Sequence, residues 1–334
     1  MSTQDVKVKN IITIGASAGG LEAITRLVKT FKNDMDAAIL IVIHLSNYSR
    51  SDVIIDILQK NTTLKCIVPF DQQEIENSTI YLAPTDRHLL LERGRMRITR
   101  GAKENHYRPS IDALFRSAAE AYTGCVTGII LTGLLDDGSS GMNAIKRCGG
   151  RCIVQDPNEA AFTDMPNSVL RTTAVDFTMS IHEMGYVLDD LYSRSICHQQ
   201  QVPADIKLEA EIARRLTTNI EDIRNLGSFT PLTCPDCGGV MVKVDDDEPA
   251  RYRCYTGHTF TEKILESEQL KRIEESMWVS IRMLEERKNL LLNMQGETNS
   301  NGQTPERRDE RIGDMQVHID TLRNALLSMN TITD

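Results

Sequence analysis

The chain is 334 residues long, 40% hydrophobic and 25% charged, with a formal net charge of −9. That length suits about two domains with a substantial core, and the acidic balance argues against general binding to nucleic acid or anionic membranes, which call for basic surfaces. No apolar stretch reaches the roughly 18 residues needed to cross a bilayer, and the polar start Met1-Ser2-Thr3-Gln4-Asp5 does not resemble a secretory signal, so a cytoplasmic protein without membrane insertion is expected.

The β-branched run Ile11-Ile12-Thr13-Ile14 predicts a buried strand, and Leu21 to Phe31 has helical spacing through Leu21, Ile24, Leu27 and Val28. Between them lies Gly15-Ala16-Ser17-Ala18-Gly19-Gly20, which puts Ser17 on a strand-to-helix turn where small neighbours let the backbone bend and leave the hydroxyl exposed. The following helix aims unpaired N–H groups at an approaching oxygen, which suits a developing oxyanion. The plainer reading is a glycine-rich turn carrying a surface serine. Ala37 to Ile43 is a continuous apolar run ending at His44, and Val126 to Leu131 is another, opening into Thr132-Gly133-Leu134-Leu135-Asp136-Asp137-Gly138. These runs predict an α/β fold, a doubly wound, mostly parallel sheet, whose strands share one carboxyl edge where ligands bind. A serine, a histidine and an acid at three such ends can meet: the histidine takes the serine proton, and the acid orients the ring and stabilises its charged form.

On these residues the sequence resembles the chemotaxis protein-glutamate methylesterases (CheB), over roughly residues 10 to 192. Gly15 to Gly20 is similar to that family's nucleophile turn, Val42-Ile43-His44 to its histidine segment, and Leu131 to Gly138 to its acid loop. Ala83-Pro84-Thr85-Asp86-Arg87-His88, Arg108-Pro109-Ser110-Ile111-Asp112 and Gln155-Asp156-Pro157 resemble further landmarks. The resemblance implies a catalytic triad of Ser17, His44 and Asp137, with Asp136 the competing carboxylate, and an oxyanion hole from the backbone N–H groups of Ala18 and Leu134. Arg108 is a candidate for binding an acidic substrate. The family usually has methionine-glycine where this chain has Leu134-Leu135, so the loop dihedrals at position 135 are open to change. Only about nine residues precede the first strand, too few for a domain, which leads to the expectation of a stand-alone form lacking the phosphorylatable receiver that familiar chemotaxis methylesterases carry.

Two other readings fit less well. A dinucleotide site would need Gly-x-Gly-x-x-Gly, which Ala16-Ser17-Ala18 interrupts, and an α/β-hydrolase orders its triad serine, acid, histidine rather than Ser17, His44, Asp137. His88 is either structural or lines the cleft, His106 either touches substrate or is solvated, and His182, His198 and His318 read as surface or core residues.

Five of the eight cysteines, Cys66, Cys125, Cys148, Cys152 and Cys197, are expected as buried thiols. The other three form a second signal: Cys234-Pro235-Asp236-Cys237 and Cys254-Tyr255-Thr256-Gly257-His258, separated by a hairpin of Val240 to Val244, an acidic turn at Asp245 to Glu248, and Arg251 to Arg253. Three thiolates and an imidazole at this spacing predict a closed structural zinc site resembling a zinc ribbon, with no cofactor for catalysis. A helix-like segment with Ile206, Leu208, Ile212 and Leu216 precedes it. After it, Lys263 to Met294 carries an apolar stripe, Gly296 to Pro305 reads as a loop, and Ile312, Met315, Ile319, Leu322, Leu326 and Met329 recur at heptad spacing. These stripes predict either a helical hairpin within the chain or a coiled-coil contact with a second copy, with Trp278 on the buried or interfacial side. The organisation expected is a catalytic domain at 1–198, a connector at 199–230, a zinc-ribbon-like module at 231–262 and a helical hairpin or coiled coil at 263–334. The function expected is hydrolysis of methyl esters on glutamate side chains of a chemoreceptor-like helical protein, with glutamine deamidation as a second activity. The alternative is a weakened methylesterase serving as a scaffold through its zinc and helical modules.

Overall fold

The computed structural model describes residues 8–44, 50–194, 197–216, 218–245, 248–293 and 305–330. The expected N-terminal tail, most of the Gly296–Pro305 loop, and Asp246 and Asp247 of the expected acidic turn lie outside them. The chain forms two compact units, Met1–Ile264 and Leu265–Asp334.

In the first unit, β1 (Ile11–Ala16), α1 (Gly20–Val28), β2 (Ala38–Ile43), α2 (Ser51–Gln59), β3 (Lys65–Ile67) and β4 (Thr79–Leu82) lead into the hairpin of β5 (His88–Glu92) and β6 (Arg95–Thr99). There follow α3 (Ile111–Tyr122), β7 (Val126–Ile130), α4 (Ser139–Arg147), β8 (Arg151–Gln155), α5 (Asp164–Thr172), β9 (Phe177–Met179) and α6 (Ile181–Arg194). One seven-stranded sheet has the order β3-β4-β2-β1-β7-β8-β9, with each pairing parallel. Every residue of β1, β2 and β7 is buried, the signature of strands covered on both faces. Alternation along β1 sends Ile12 and Ile14 to one apolar layer with Ile24 and Leu27 of α1, and Ile11 to the other with Leu114 and Phe115 of α3. Strand order reverses between β1 and β7, and in such sheets that crevice is where ligands bind. The turn carrying Ser17 and the 132–138 loop both leave the sheet there.

The connector is built into this body. It forms α7 (Ala204–Arg215) and α8 (Ile220–Leu226), and Glu209 of α7 is buried against charges from α3. The expected two-stranded zinc hairpin is the centre of a four-stranded antiparallel sheet: β10 (Gly227–Thr233), β11 (Val240–Val244), β12 (Arg251–Cys254) and β13 (Thr259–Thr261). β10 runs across the boundary expected at residue 230.

Two of the five expected thiols are not free. Cys125 and Cys197 form a disulfide, their Cα atoms 4.9 Å apart, within bridging range. Cys66, Cys148 and Cys152 are buried free thiols.

The second unit contains most of α9 (Glu262–Asn293) and all of α10 (Pro305–Asn330). Lys288 reaches Gln316 and Arg323 reaches Glu285, so the helices run antiparallel, with Ile281, Ile319 and Leu326 buried between them. Trp278 is not on that seam; it is 54% exposed.

Candidate active site and metal site

Three strand ends converge. Ser17 follows β1, and its turn is sharp because Gly19 takes φ 73°, a left-handed conformation that glycine adopts without steric cost. The turn is tied to the β7 loop by Ser17 N–H donating to Thr132 O at 3.0 Å and by the Thr132 hydroxyl donating to Ala18 O at 3.0 Å. His44 follows β2, its N–H donating to Ala16 O. Its Nδ1 stands 3.3 Å from Ser17 Oγ and its Nε2 2.9 Å from Asp137 Oδ2. Tyr107 stacks on the imidazole at 3.5 Å between centroids and 9° between planes. An ionised Asp137 only accepts, so Nε2 carries the proton and Nδ1 presents a lone pair to the serine. This is the reverse of the ring-nitrogen assignment in chymotrypsin-type triads, where Nε2 faces the serine.

The carboxylate meeting His44 is that of Asp137, not Asp136. Asp137 Oδ1 accepts from the Asn105 side-chain amide (3.0 Å), Ser110 Oγ (3.0 Å) and Asp112 N–H (3.2 Å), and Oδ2 accepts from Ile111 N–H at 2.7 Å as well as from His44. Ile111 and Asp112 open α3, whose N-cap is Ser110, so the carboxylate sits on the positive end of a twelve-residue helix. Burial pushes Asp137 up, but the hydrogen bond from His44, its nearby charge and the Asn105 and Ile111 donors outweigh it, holding the carboxyl below its ordinary value. Gly15 in β1 lies where a Cβ would run into Ile111, so β1 and the N-terminus of α3 pack without room between them.

Among the described residues, the Ala18 and Leu134 N–H groups donate to no backbone carbonyl. Leu134 is 44% exposed, and Ser17 is half-buried. Leu135, where the resemblance predicts glycine, takes φ 64°. Arg108 does not open toward the serine: its Nε and Nη2 donate to Asp86 and its Nη1 to Gly101 O at 2.7 Å. His88 is buried and structural, with Nε2 on Ala102 O and Nδ1 accepting from Ser110 N–H. The residues that motif reading did not single out are Asn105 and Tyr107; Ser110 and Asp112 stood in a landmark motif without an assigned role. Ser110, just before a helical run, carries an N-cap signal. Nothing in the local sequence ties Asn105 or Tyr107 to residues 30 or more positions away.

The CheB methylesterase family model matches residues 12–188, more than half of the chain. The chain belongs to this family. A Leptospira interrogans relative named for protein-glutamate methylesterase and protein-glutamine glutaminase is 37% identical over 175 residues, 52% of this chain and 90% of that protein. A Methanosarcina mazei relative named for the same two activities is 30% identical over 195 residues, 54% of this chain and 52% of its own length. The crystal structure of the Thermotoga maritima CheB methylesterase catalytic domain is matched at a TM-score of 0.52 and 27% identity, covering 55% of this chain and 98% of that one. Residues beyond 188 are outside the family-model match and hold the second candidate site.

Cys234, Cys237, Cys254 and His258 bring one ligand atom each to within 4.8 Å of one another. Cys237 Sγ and Cys254 Sγ are 3.7 Å apart, and Cys254 Sγ and His258 Nδ1 3.6 Å. A tetrahedral ion with ~2.3 Å metal–sulfur bonds has ligand–ligand edges of roughly 3.8 Å, so this CheB-family protein carries a donor set spaced for one structural metal ion. Turns closed by Gly238 N–H on Cys234 O and Gly257 N–H on Cys254 O present the ligands. Asp236 lies 3.8 Å from His258 Nε2, the ring nitrogen away from Cys254. Among the described residues, no helix is long and apolar enough to cross a membrane.

Proposed function

We propose that the protein is a serine hydrolase that removes methyl esters from glutamate side chains of a partner protein, a chemoreceptor-like helical domain, in chemotaxis-type signalling. The observation that carries this reading is the unbroken path from Ser17 Oγ through the His44 ring to Asp137, with steps of 3.3 and 2.9 Å. Ser17 Oγ attacks the γ-carbonyl carbon as His44 Nδ1 takes its proton; Asp137 holds the imidazolium through Nε2. The N–H groups of Ala18 and Leu134 receive the oxyanion. The carbon–methoxy bond breaks, His44 returns the proton to departing methanol, and a water deprotonated by the same nitrogen releases glutamate and restores the serine. Ammonia in place of methanol as the leaving group makes the same cycle a glutamine deamidation, in keeping with the paired names of the relatives.

The Cys234–Cys237–Cys254–His258 set is assigned to structural zinc: four protein ligands leave no open position for chemistry. Arg108, paired with Asp86, is assigned to holding its loop rather than the substrate. The test is methanol release from a methylated receptor domain: it should proceed with the native chain and stop with Ser17→Ala, and equal release by both would end this reading. A second reading, a docking platform without turnover, draws on the left-handed Leu135 beside the oxyanion donor; a folded native chain that releases no methanol supports it.

A further inference from the structure

The zinc sheet meets the hydrolase module at the loops that hold the triad acid. Its last strand, β13, begins one residue after the ligand His258. Thr259 O accepts from Asn105 N–H at 2.7 Å, and Thr259 N–H donates to Lys103 O at 3.3 Å. Two residues on lies Thr261, which favours the charged form of Asp136, the neighbour of Asp137. The 103–107 segment is therefore pinned to β13 on one side while it serves the triad on the other: the Asn105 amide donates to Asp137 at 3.0 Å and to Asp112 at 2.7 Å, and Tyr107 stacks on His44. Asn105 and His106 take φ 50° and 71°, conformations that a free loop would leave.

The base of the same segment is locked by charge. Glu104 pairs with Arg116 of α3 and faces Arg253 of β12 at 4.0 Å, while Glu209 of α7 takes Arg251 at 2.6 Å and Arg253 at 3.4 Å, all with side chains 2–5% exposed. Without β12, two buried carboxylates would share only Arg116, an uncompensated charge beside Asn105.

We propose that the metal-clamped sheet is a strut for the triad acid, acting through Asn105 as a positioning residue, so that loss of the metal lowers turnover without touching the serine. This rests on the hydrolase reading above. Asn105 uses its backbone to receive the sheet's position and its side chain to pass it to Asp137; metal binding sets whether the sheet's turns keep β13 in place.

The test uses the full chain loaded with zinc, with Cys237→Ser and Asn105→Ala made singly and together. Each single change should lower kcat about tenfold to a hundredfold and leave KM within about twofold, and the double variant should fall little further than the weaker single one. Proton NMR reads the same coupling without substrate: the downfield imidazole proton between His44 and Asp137 should broaden or vanish in both variants. Retention of that proton and of kcat in Cys237→Ser, or losses that multiply in the double variant, would overturn the proposal. If Cys237→Ser does not fold, Asn105→Ala decides, an unchanged proton and kcat being fatal. A native chain that shows the proton but hydrolyses nothing refutes the hydrolase reading, and the NMR comparison still judges the strut.

Discussion

Position 135 shows how one side chain can oppose its own backbone. Leu135 holds φ 64°, where a Cβ crowds the following carbonyl and costs about 1–2 kcal/mol. Leu135→Gly should therefore raise stability by about 1 kcal/mol, after the loss of some apolar contact and the greater freedom of the unfolded glycine. An urea midpoint at or below that of the native chain would contradict this. The departure at 134–135 was legible in the sequence, but not its sign, because the residue types of the turn do not state whether position 135 is left-handed. Ser17 and His44 were legible because each follows an apolar run at a strand end, whereas the choice of Asp137 over Asp136 came from the family resemblance. Asn105 and Tyr107 were not, since a polar residue in an irregular loop declares neither its dihedrals nor its distant partner.

Among the elements, the N-terminus of α3 and the strand pair β12–β13 meet around buried charge, and this junction was not readable beforehand. The sequence showed Val240–Val244 and Arg251–Arg253 as a hairpin; β10, interrupted by Pro231 and largely exposed, and the three-residue β13 lacked a clear period-2 pattern. Nothing in the hairpin pattern marked the arginines of β12 as buried; they are buried because Glu104 and Glu209 pair with them. Burial pushes Glu209 up, but Arg116, Arg251 and Arg253 bring it down to about 2 from an ordinary 4.5. A carboxyl depressed in the folded state adds stability above its unfolded value and loses it as the pH falls through the folded one. Its contribution should thus be whole above about pH 4.5 and disappear on the way down to about 2. Glu209→Gln should cost about 3–5 kcal/mol at neutral pH by leaving guanidinium groups unpaired, and should flatten acid unfolding across that window. Denaturant unfolding at several pH values checks both, and an unchanged acid limb would refute the assignment.

Across the whole molecule, function depends on distant parts of the chain meeting. Ser17, His44 and Asp137 are spread over some 120 positions, and the parallel sheet brings them to one edge because right-handed crossovers return every strand in the same direction. From three apolar runs alone it was legible that a serine, a histidine and an acid share one edge; the resemblance named Asp137. The Cys125–Cys197 bridge was not, because residues 72 apart in sequence carry no sign of proximity. The antiparallel pairing of α9 with α10 follows the heptad stripe, yet Trp278 faces away from it, since a stripe wider than one seam leaves its margin exposed. The direct test of the convergence is to treat the folded, zinc-loaded chain with an active-serine fluorophosphonate and map the adduct by mass spectrometry. The account predicts a single label on Ser17 that is lost in His44→Ala; no label, or a label on another serine, would contradict it.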